Sequence, residues 1–212
     1  MRLSFLKKPL FIPDYTGLII FDEYGNRVNT DTSENPEQVL AKTYINPYAT
    51  VLELGARYGS VSCTINKKIV NKQNQVSVEP DESVWDVLEK NIHVNKCSIR
   101  LHKGIISKKS YSIIKEGYST HVVPSENTST NAISVEELQT KYGLAFDTLV
   151  ADCEGFLESF FDDHPFLYQQ LHTVIFEADS PDRCDYEKIR AALKENGFLE
   201  ILCGFQNVYI KV

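Results

Sequence analysis

The sequence predicts an α/β domain built on a doubly wound, mostly parallel sheet. Three observations carry that prediction. Short apolar runs at residues 50–54, 75–79, 146–151 and 173–176 are too short for surface helices and too continuously apolar for half-solvated strands, as expected of strands covered on both faces. Between them lie stretches with apolar residues three and four apart, the pattern of helices that cross from one parallel strand to the next. The chain closes on residues 198–202 and 205–212 joined through Gly204, which reads as a hairpin adding an antiparallel edge.

In chain order, residues 1–48 form a lead-in that packs on the domain of residues 49–212, with Phe11-Ile12 and Leu18 to Phe21 extended and Gly25 in a turn. A helix starts around Ser33-Glu34-Asn35-Pro36 and runs through Val39, Leu40 and Tyr44. After the first buried strand a helix begins at Ser60 with Val61, Ile65 and Ile69 on one face. The strand at 75–79 leads to a helix with Trp85, Leu88 and Ile92 as its inward stripe and Asp81-Glu82 at its positive end. Residues 97–101 and 104–106 make a third strand and its tip around Lys103-Gly104, and 110–115 a further strand. Residues 119–131, rich in Ser, Thr and Asn, read as a functional or mobile loop flanking the site. Ser134-Val135-Glu136-Glu137 is a capping box. The strand at 146–151 delivers Asp152-Cys153-Glu154-Gly155, a helix over 155–171 breaks at His164-Pro165, and the strand at 173–176 ends in Glu177-Ala178-Asp179. The last helix starts at Asp185, buries Tyr186, Ile189 and Leu193, and stops at Asn196-Gly197.

The turn after the first strand points to a ligand. Gly55 and Gly59 permit close backbone approach, and the helix starting at Ser60 aims free N–H groups into the turn. Glu79, at the tip of the neighbouring strand, is placed to accept both hydroxyls of a ribose. Dinucleotide sites share this geometry but use G-x-G-x-x-G, whereas this chain has E-x-G-x-x-x-G beginning at Glu53. That form resembles motif I of S-adenosylmethionine (SAM)-dependent methyltransferases. The expected cofactor residues are Glu53, Gly55, Ala56, Arg57, Tyr58, Gly59 and Ser60 in the turn, Glu79 and Pro80, Lys103 and Gly104, and Asp152. Tyr58 and Trp85 are the aromatics available to lie against adenine, although Trp85 also fits the core.

Composition narrows the rest. The 212 residues are 42% hydrophobic and 24% charged, ordinary for one soluble domain, and the net charge of -7 supplies no field for a phosphate backbone, so nucleic acid is not expected as a partner. Five scattered cysteines read as reduced core thiols rather than disulfides or a zinc site. The apolar stretch after Met1 is broken by Pro9 and Pro13, so neither a signal peptide nor a membrane span is expected, and the location expected is the cytoplasm.

Several blocks are similar, in order, to the hallmark segments of FkbM-type methyltransferases. These are Leu52-Glu53-Leu54-Gly55-Ala56-Arg57-Tyr58-Gly59-Ser60, where the family more often has Asn at the place of Arg57; Leu88 to Asn95 followed by Gly104-Ile105-Ile106-Ser107; and Phe146-Asp147 through Asp152-Cys153-Glu154-Gly155. The resemblance covers roughly residues 49 to 180. It implies a Rossmann-like class I fold with a seven-stranded sheet, SAM as cofactor and a sugar hydroxyl as acceptor, on a carbohydrate or glycan. It also implies a domain that can be fused to, or cut from, a glycosyltransferase-containing protein.

Methyl transfer to a hydroxyl needs a proton acceptor, and carboxylates at two strand tips face that spot. Asp152 is expected as general base with Glu154 beside it, and Glu177, Asp179 and His164 as acceptor-binding residues. Acids at a helix start also cap it, so that reading of Asp152 and Glu154 stays open. Metal is not expected, though Asp152, Glu177 and Asp179 would be the ligands of a divalent ion. Two rivals remain. A nicotinamide-dependent sugar oxidoreductase or epimerase would share Glu79 but should carry G-x-G-x-x-G, and a catalytically silent binding module in a glycan-synthesis protein would not need both Glu79 and Asp152.

Overall fold

The computed structural model describes residues 17–31, 34–116, 119–126 and 131–211. The sheet is assembled from β1 (Val51–Leu54), β2 (Gln75–Glu79), β3 (Arg100–Lys103), β8 (Thr148–Ala151), β9 (Thr173–Glu177), β10 (Phe198–Leu202) and β11 (Gln206–Lys211), in the order β10-β11-β9-β8-β1-β2-β3. β1 pairs in parallel with β2 and β8, β2 with β3, and β8 with β9, while β11 runs antiparallel to both β9 and β10. The doubly wound sheet with an antiparallel closing hairpin is as the sequence predicts.

Alternate residues along each strand feed two cores, which is why the runs are apolar throughout. Val51, Val150, Ile175 and Val208 pack under α1 (Asn35–Tyr44) and α2 (Ser60–Lys68) through Leu40, Ala41, Val61 and Ile65. Leu52, Leu149, Val174 and Tyr209 face the other way, onto α4 (Val135–Tyr142), α5 (Leu157–Asp163), α6 (Leu167–Gln170) and α7 (Tyr186–Glu195). Glu53 shares the α1/α2 face with Val51, so a carboxylate lies where the pattern calls for an apolar residue.

Local signals set the helix ends. Ser134 accepts from the Glu137 N–H at 3.2 Å while the Glu137 carboxylate accepts from the Ser134 N–H at 2.9 Å, the reciprocal box that starts α4. The break between α5 and α6 falls at His164-Pro165, where proline cannot continue the hydrogen-bond ladder.

α3 (Trp85–Val94) differs from its expected face. Val84, Val87, Leu88 and Asn91 are buried, whereas Trp85 and Ile92 are only half-buried. Asn91 turns its carboxamide on the lead-in, accepting from the Phe21 N–H at 3.0 Å and donating to the Phe21 carbonyl at 2.9 Å, and Asn95 repeats this with Ile19. Two side-chain amides therefore pair with the lead-in as a neighbouring strand would, and Leu18 to Phe21 needs no strand of its own; it makes one bridge, Phe21 to Arg27. Phe11-Ile12 lies outside the described residues.

A second departure matters more for the site. Part of the polar stretch after residue 118 is a strand, β6 (Ser119–Pro124), paired antiparallel with β5 (Tyr111–Glu116). Its Thr-His-Val-Val core has β propensity that the flanking serines masked. A short parallel pair, β4 (Ile105–Ile106) with β7 (Ala132–Ile133), anchors this excursion beside β3. Of the cysteines, Cys63 and Cys184 are buried but Cys203 is exposed, so the thiols are free without all being core residues.

Candidate active site

The carboxyl ends of β1, β2 and β8 meet around Gly55. Its N–H continues the ladder to the Val78 carbonyl at 3.1 Å, its φ is +84°, and a Cβ there would overlap the Asp152 carbonyl oxygen. Only glycine lets the loops after β1 and β8 cross this closely. Gly104 does the same on the far side, since a Cβ would overlap the Asn131 carbonyl oxygen.

Between these crossings is a cleft of about 740 Å³, partly open to solvent. Gly55 and Arg57 line it from the turn, Glu79 and Pro80 from the tip of β2, Gly104 to Ile106 from β4, and Asp152, Cys153, Glu154 and Phe156 from the loop after β8. Thr120 and Val122 reach over it from β6. Glu79 is 3% exposed. One of its oxygens accepts from the Arg57 N–H at 2.7 Å and the other from the Asp81 N–H at 2.8 Å, so each retains a lone pair for a further donor. Burial pushes its pKa up to about 7 against those two hydrogen bonds. The Arg57 guanidinium is held at the rim by Asp81 at 3.3 Å. Behind Glu79, the Trp85 indole N–H donates to the Glu79 carbonyl at 2.8 Å.

Of the expected cofactor residues, the lining omits Glu53, Ala56, Tyr58, Gly59, Ser60 and Lys103. Tyr58 is packed among Leu18, Ile20, Val84 and Val87, with its hydroxyl donating to Glu23. Lys103 is turned outward to Glu89 at 2.9 Å. Gly59 caps α2 at φ +84°, and a Cβ there would lie 2.8 Å from Leu88, so it shapes the turn from below.

A smaller, narrow pocket continues from the cleft floor on the α1/α2 side. It shares Glu34, Leu54, Gly55 and Asp152 with the cleft and adds Glu37, Glu53, Glu177 and Gln206. Glu34, in a left-handed conformation at φ 51° before α1, takes a hydrogen bond from the Ser60 hydroxyl. Burial, then the charges of Asp152 and Glu53, push the Glu34 pKa to about 8, and burial raises Glu53 to about 7. Asp152 rises to about 7 through burial and then the nearby charges of Asp179 and Glu154. Glu177 is pushed well above the carboxylate range by burial and by its contact with Glu37. Neither Glu34 nor Gln206 was legible as a site residue, because each is an ordinary polar residue in sequence and only the packing of α1 and β11 brings them here.

Asp179 takes a hydrogen bond from the Tyr186 hydroxyl at 2.8 Å and does not line either cavity. Among the described residues no three carboxylate, imidazole or thiol groups are placed to hold a metal ion. His164 is a correction to the expected acceptor site. It is fully buried, with Nδ1 facing the Phe160 carbonyl at 2.9 Å and Nε2 accepting from the Val135 N–H at 3.2 Å, and burial lowers its pKa. It is a neutral imidazole tying α5 to the start of α4.

These carboxyls set the pH dependence of the protein. Groups raised by burial, Glu34, Glu53, Glu79 and Asp152, contribute stability fully below their unfolded values near 4 and lose it as pH rises through about 7 to 8. Glu137, held below its ordinary range by the Ser134 N–H and hydroxyl, acts in the opposite sense and loses its contribution at lower pH. The ligand-free protein should therefore melt at its highest temperature near pH 5 and lower by at least about 5 °C at pH 8. A melting temperature that climbs steadily between those pH values in calorimetry would contradict the burial of these groups.

No protein-family model matches the sequence, and no curated protein matches it. Among solved structures, the chain is similar to a precorrin-6y C5,15-methyltransferase from Geobacter metallireducens, with a TM-score of 0.52 at 14% identity over 84% of this chain and 87% of that one. It is also similar to the O-methyltransferase from Bacillus cereus in complex with SAH, the demethylated cofactor, with a TM-score of 0.50 at 14% identity over 87% and 84% of the two chains. No helix among the described residues is long and apolar enough to cross a membrane. By its sheet order, its antiparallel C-terminal hairpin and these likenesses, the chain has the Rossmann-like methyltransferase fold.

Proposed function

We propose that the protein is a SAM-dependent methyltransferase whose acceptor is a sugar hydroxyl on a carbohydrate or glycan, as in the FkbM-type enzymes. The observation that carries the cofactor reading is Glu79, a buried carboxylate at the tip of β2 with one lone pair on each oxygen left over in a cleft. A ribose diol supplies two donors at matching separation. Gly55 and Gly104 fit the same ligand, since each keeps the wall free of a Cβ. SAM supplies an electrophilic methyl group when bound. What this chain adds is an acceptor-side wall of carboxylates, with Asp152 and Glu154 at the end of β8. A hydroxyl becomes an adequate nucleophile as its proton leaves, and Asp152, with a pKa near 7, is matched to take that proton at neutral pH. The hydroxyl reading draws on the sequence blocks and on the preference of carboxylates for hydroxyl donors.

Glu79→Ala removes two charge-assisted hydrogen bonds to the ribose and should weaken SAH binding by about 2–3 kcal/mol, roughly 30- to 150-fold, in isothermal titration calorimetry. Unchanged affinity would place the ribose elsewhere. NAD binding without SAH binding would transfer the site to the oxidoreductase reading.

A further inference from the structure

Two thiols meet beneath the lead-in, on the side of the turn away from the cleft. Cys63 projects from α2 into the cluster of Leu18, Ile20, Tyr58, Val84 and Val87 and is fully buried, while Cys97, half-buried, packs against the same cluster. The chain brings Cys97 there by a tight reversal at the end of α3. Lys96 is left-handed at φ 56°, and the N–H groups of Lys96 and Cys97 return to the His93 and Ile92 carbonyls, each at 3.0 Å. Glycine is the usual residue at such a position, so the fold holds a lysine in a strained conformation to make this turn. The residue that follows is clamped to α2. Asn66 accepts from the Ser98 N–H at 3.0 Å and donates to the Ser98 carbonyl at 3.4 Å. Cys97 Sγ then lies 3.9 Å from the Cys63 carbonyl oxygen, and the Cys63 thiol donates a hydrogen bond to the Cys97 sulfur. That hydrogen bond, followed by the Lys67 and Lys72 ammonium groups, holds the Cys97 thiol below its ordinary range against its burial, whereas the same bond and burial push Cys63 far up. Lys72 is fixed in place, donating to the Asn66 and Ile69 carbonyls at 2.5 and 2.7 Å. The pair is therefore unequal, with the better nucleophile on the more accessible residue and a protonated thiol in contact with it.

We propose that Cys63 and Cys97 are an oxidisable dithiol, which a small hydroperoxide converts to a disulfide that ties α2 to the end of α3. The inference is independent of the methyl-transfer reading. In the first step the Cys97 thiolate attacks one peroxide oxygen, the O–O bond breaks, and the other oxygen leaves with a proton as water or an alcohol, so that Cys97 becomes a sulfenic acid. In the second step the Cys63 sulfur attacks the Cys97 sulfur and the S–O bond breaks. The departing hydroxide takes the Cys63 proton and leaves as water. Two thiols lose two electrons in all, and the peroxide gains them. Cys97 is the attacking residue and Cys63 the resolving one, because only Cys97 is open to a reagent from outside and Cys63 already touches it. The bond closes a loop over residues 63–97, which holds β2 with Glu79 at its tip and the whole of α3. A link across that loop removes freedom chiefly from the unfolded chain, so the oxidised protein is the more stable form.

The test treats the reduced full chain with hydrogen peroxide, blocks the remaining thiols with an alkylating agent under denaturing conditions, and maps the peptides by mass spectrometry. The expected result is that two of the five thiols vanish together, that the peptides holding Cys63 and Cys97 are recovered as one linked species, and that dithiothreitol restores both. The melting temperature of the linked protein should rise by about 5–10 °C and return on reduction. In Cys63→Ala the sulfenic acid has no resolving thiol, so Cys97 should run on to the sulfinic acid, which dithiothreitol does not reverse. Cys97→Ser, at the half-buried position, is the second variant should the change at the buried residue unfold the chain. It should leave Cys63 unoxidised under the same treatment. Oxidation confined to the exposed Cys203, sulfinic acid forming at Cys97 as fast in the wild-type chain as in Cys63→Ala, or Cys63 oxidised at the wild-type rate in Cys97→Ser would each overturn the proposal.

Discussion

Gly55→Ala should cost about 3–5 kcal/mol of stability and remove cofactor binding with it. The φ of +84° forces alanine into a left-handed conformation, and its Cβ would overlap the Asp152 carbonyl oxygen, which is backbone and has no rotamer to escape into. Left-handed strain and overpacking of this kind cost about 1–3 kcal/mol each. Gly197 is the internal control. Its φ is +85° but nothing lies within 4 Å of a Cβ there, so Gly197→Ala should cost only about 1–2 kcal/mol. Urea unfolding of the two variants separates backbone conformation from steric crossing, and equal losses would mean that the β1 and β8 loops do not meet as described.

Asp152→Asn should lower turnover about 10²- to 10⁴-fold while SAH affinity changes little. The substitution leaves the backbone carbonyl over Gly55 in place and keeps the side chain's shape, so what it removes is the proton acceptor. The methyl-transfer rate of the unsubstituted protein should rise with pH through about 7, where Asp152 loses its proton. Chelation discriminates a lone base from a metal-assisted one: activity that survives exhaustive chelator fits the base, and activity lost to chelator and restored by magnesium fits a divalent ion on Asp152 and its neighbours. A fully active Asp152→Asn variant would overturn both versions.

The main sheet was legible because its strands are buried on both faces and punctuated by glycine and acids, signals that survive without tertiary information. β6 was hidden by polar neighbours, and Asn91 and Asn95 clasp a lead-in whose contacts no local pattern announces. The same split holds at the site. Glu79, Gly55 and Asp152 lie at strand tips and so could be placed from spacing. Tyr58 belongs to the same motif, but its side chain packs under the lead-in away from the cleft, and Ser60 reaches the cleft only through its hydrogen bond to Glu34. His164 looked like a loop residue beside proline, yet the break that proline makes in the helix is where its ring is needed to close α5 onto α4. Glu34 and Gln206 are far apart in sequence and meet only because α1 packs against β11 and β9.

Trp85 is the single tryptophan in the chain, and its indole N–H rests on the carbonyl of the residue proposed to hold ribose. The Lys103 ammonium stands 5.5 Å from the same ring. A ligand seated on Glu79 changes the field and the solvent around one identified chromophore, so occupancy can be followed by intrinsic fluorescence without a label. Excitation at the red edge selects this indole over the eleven tyrosines. The emission shift can then be timed in a stopped-flow mixer, turning a structural hydrogen bond into an optical clock for cofactor arrival and release.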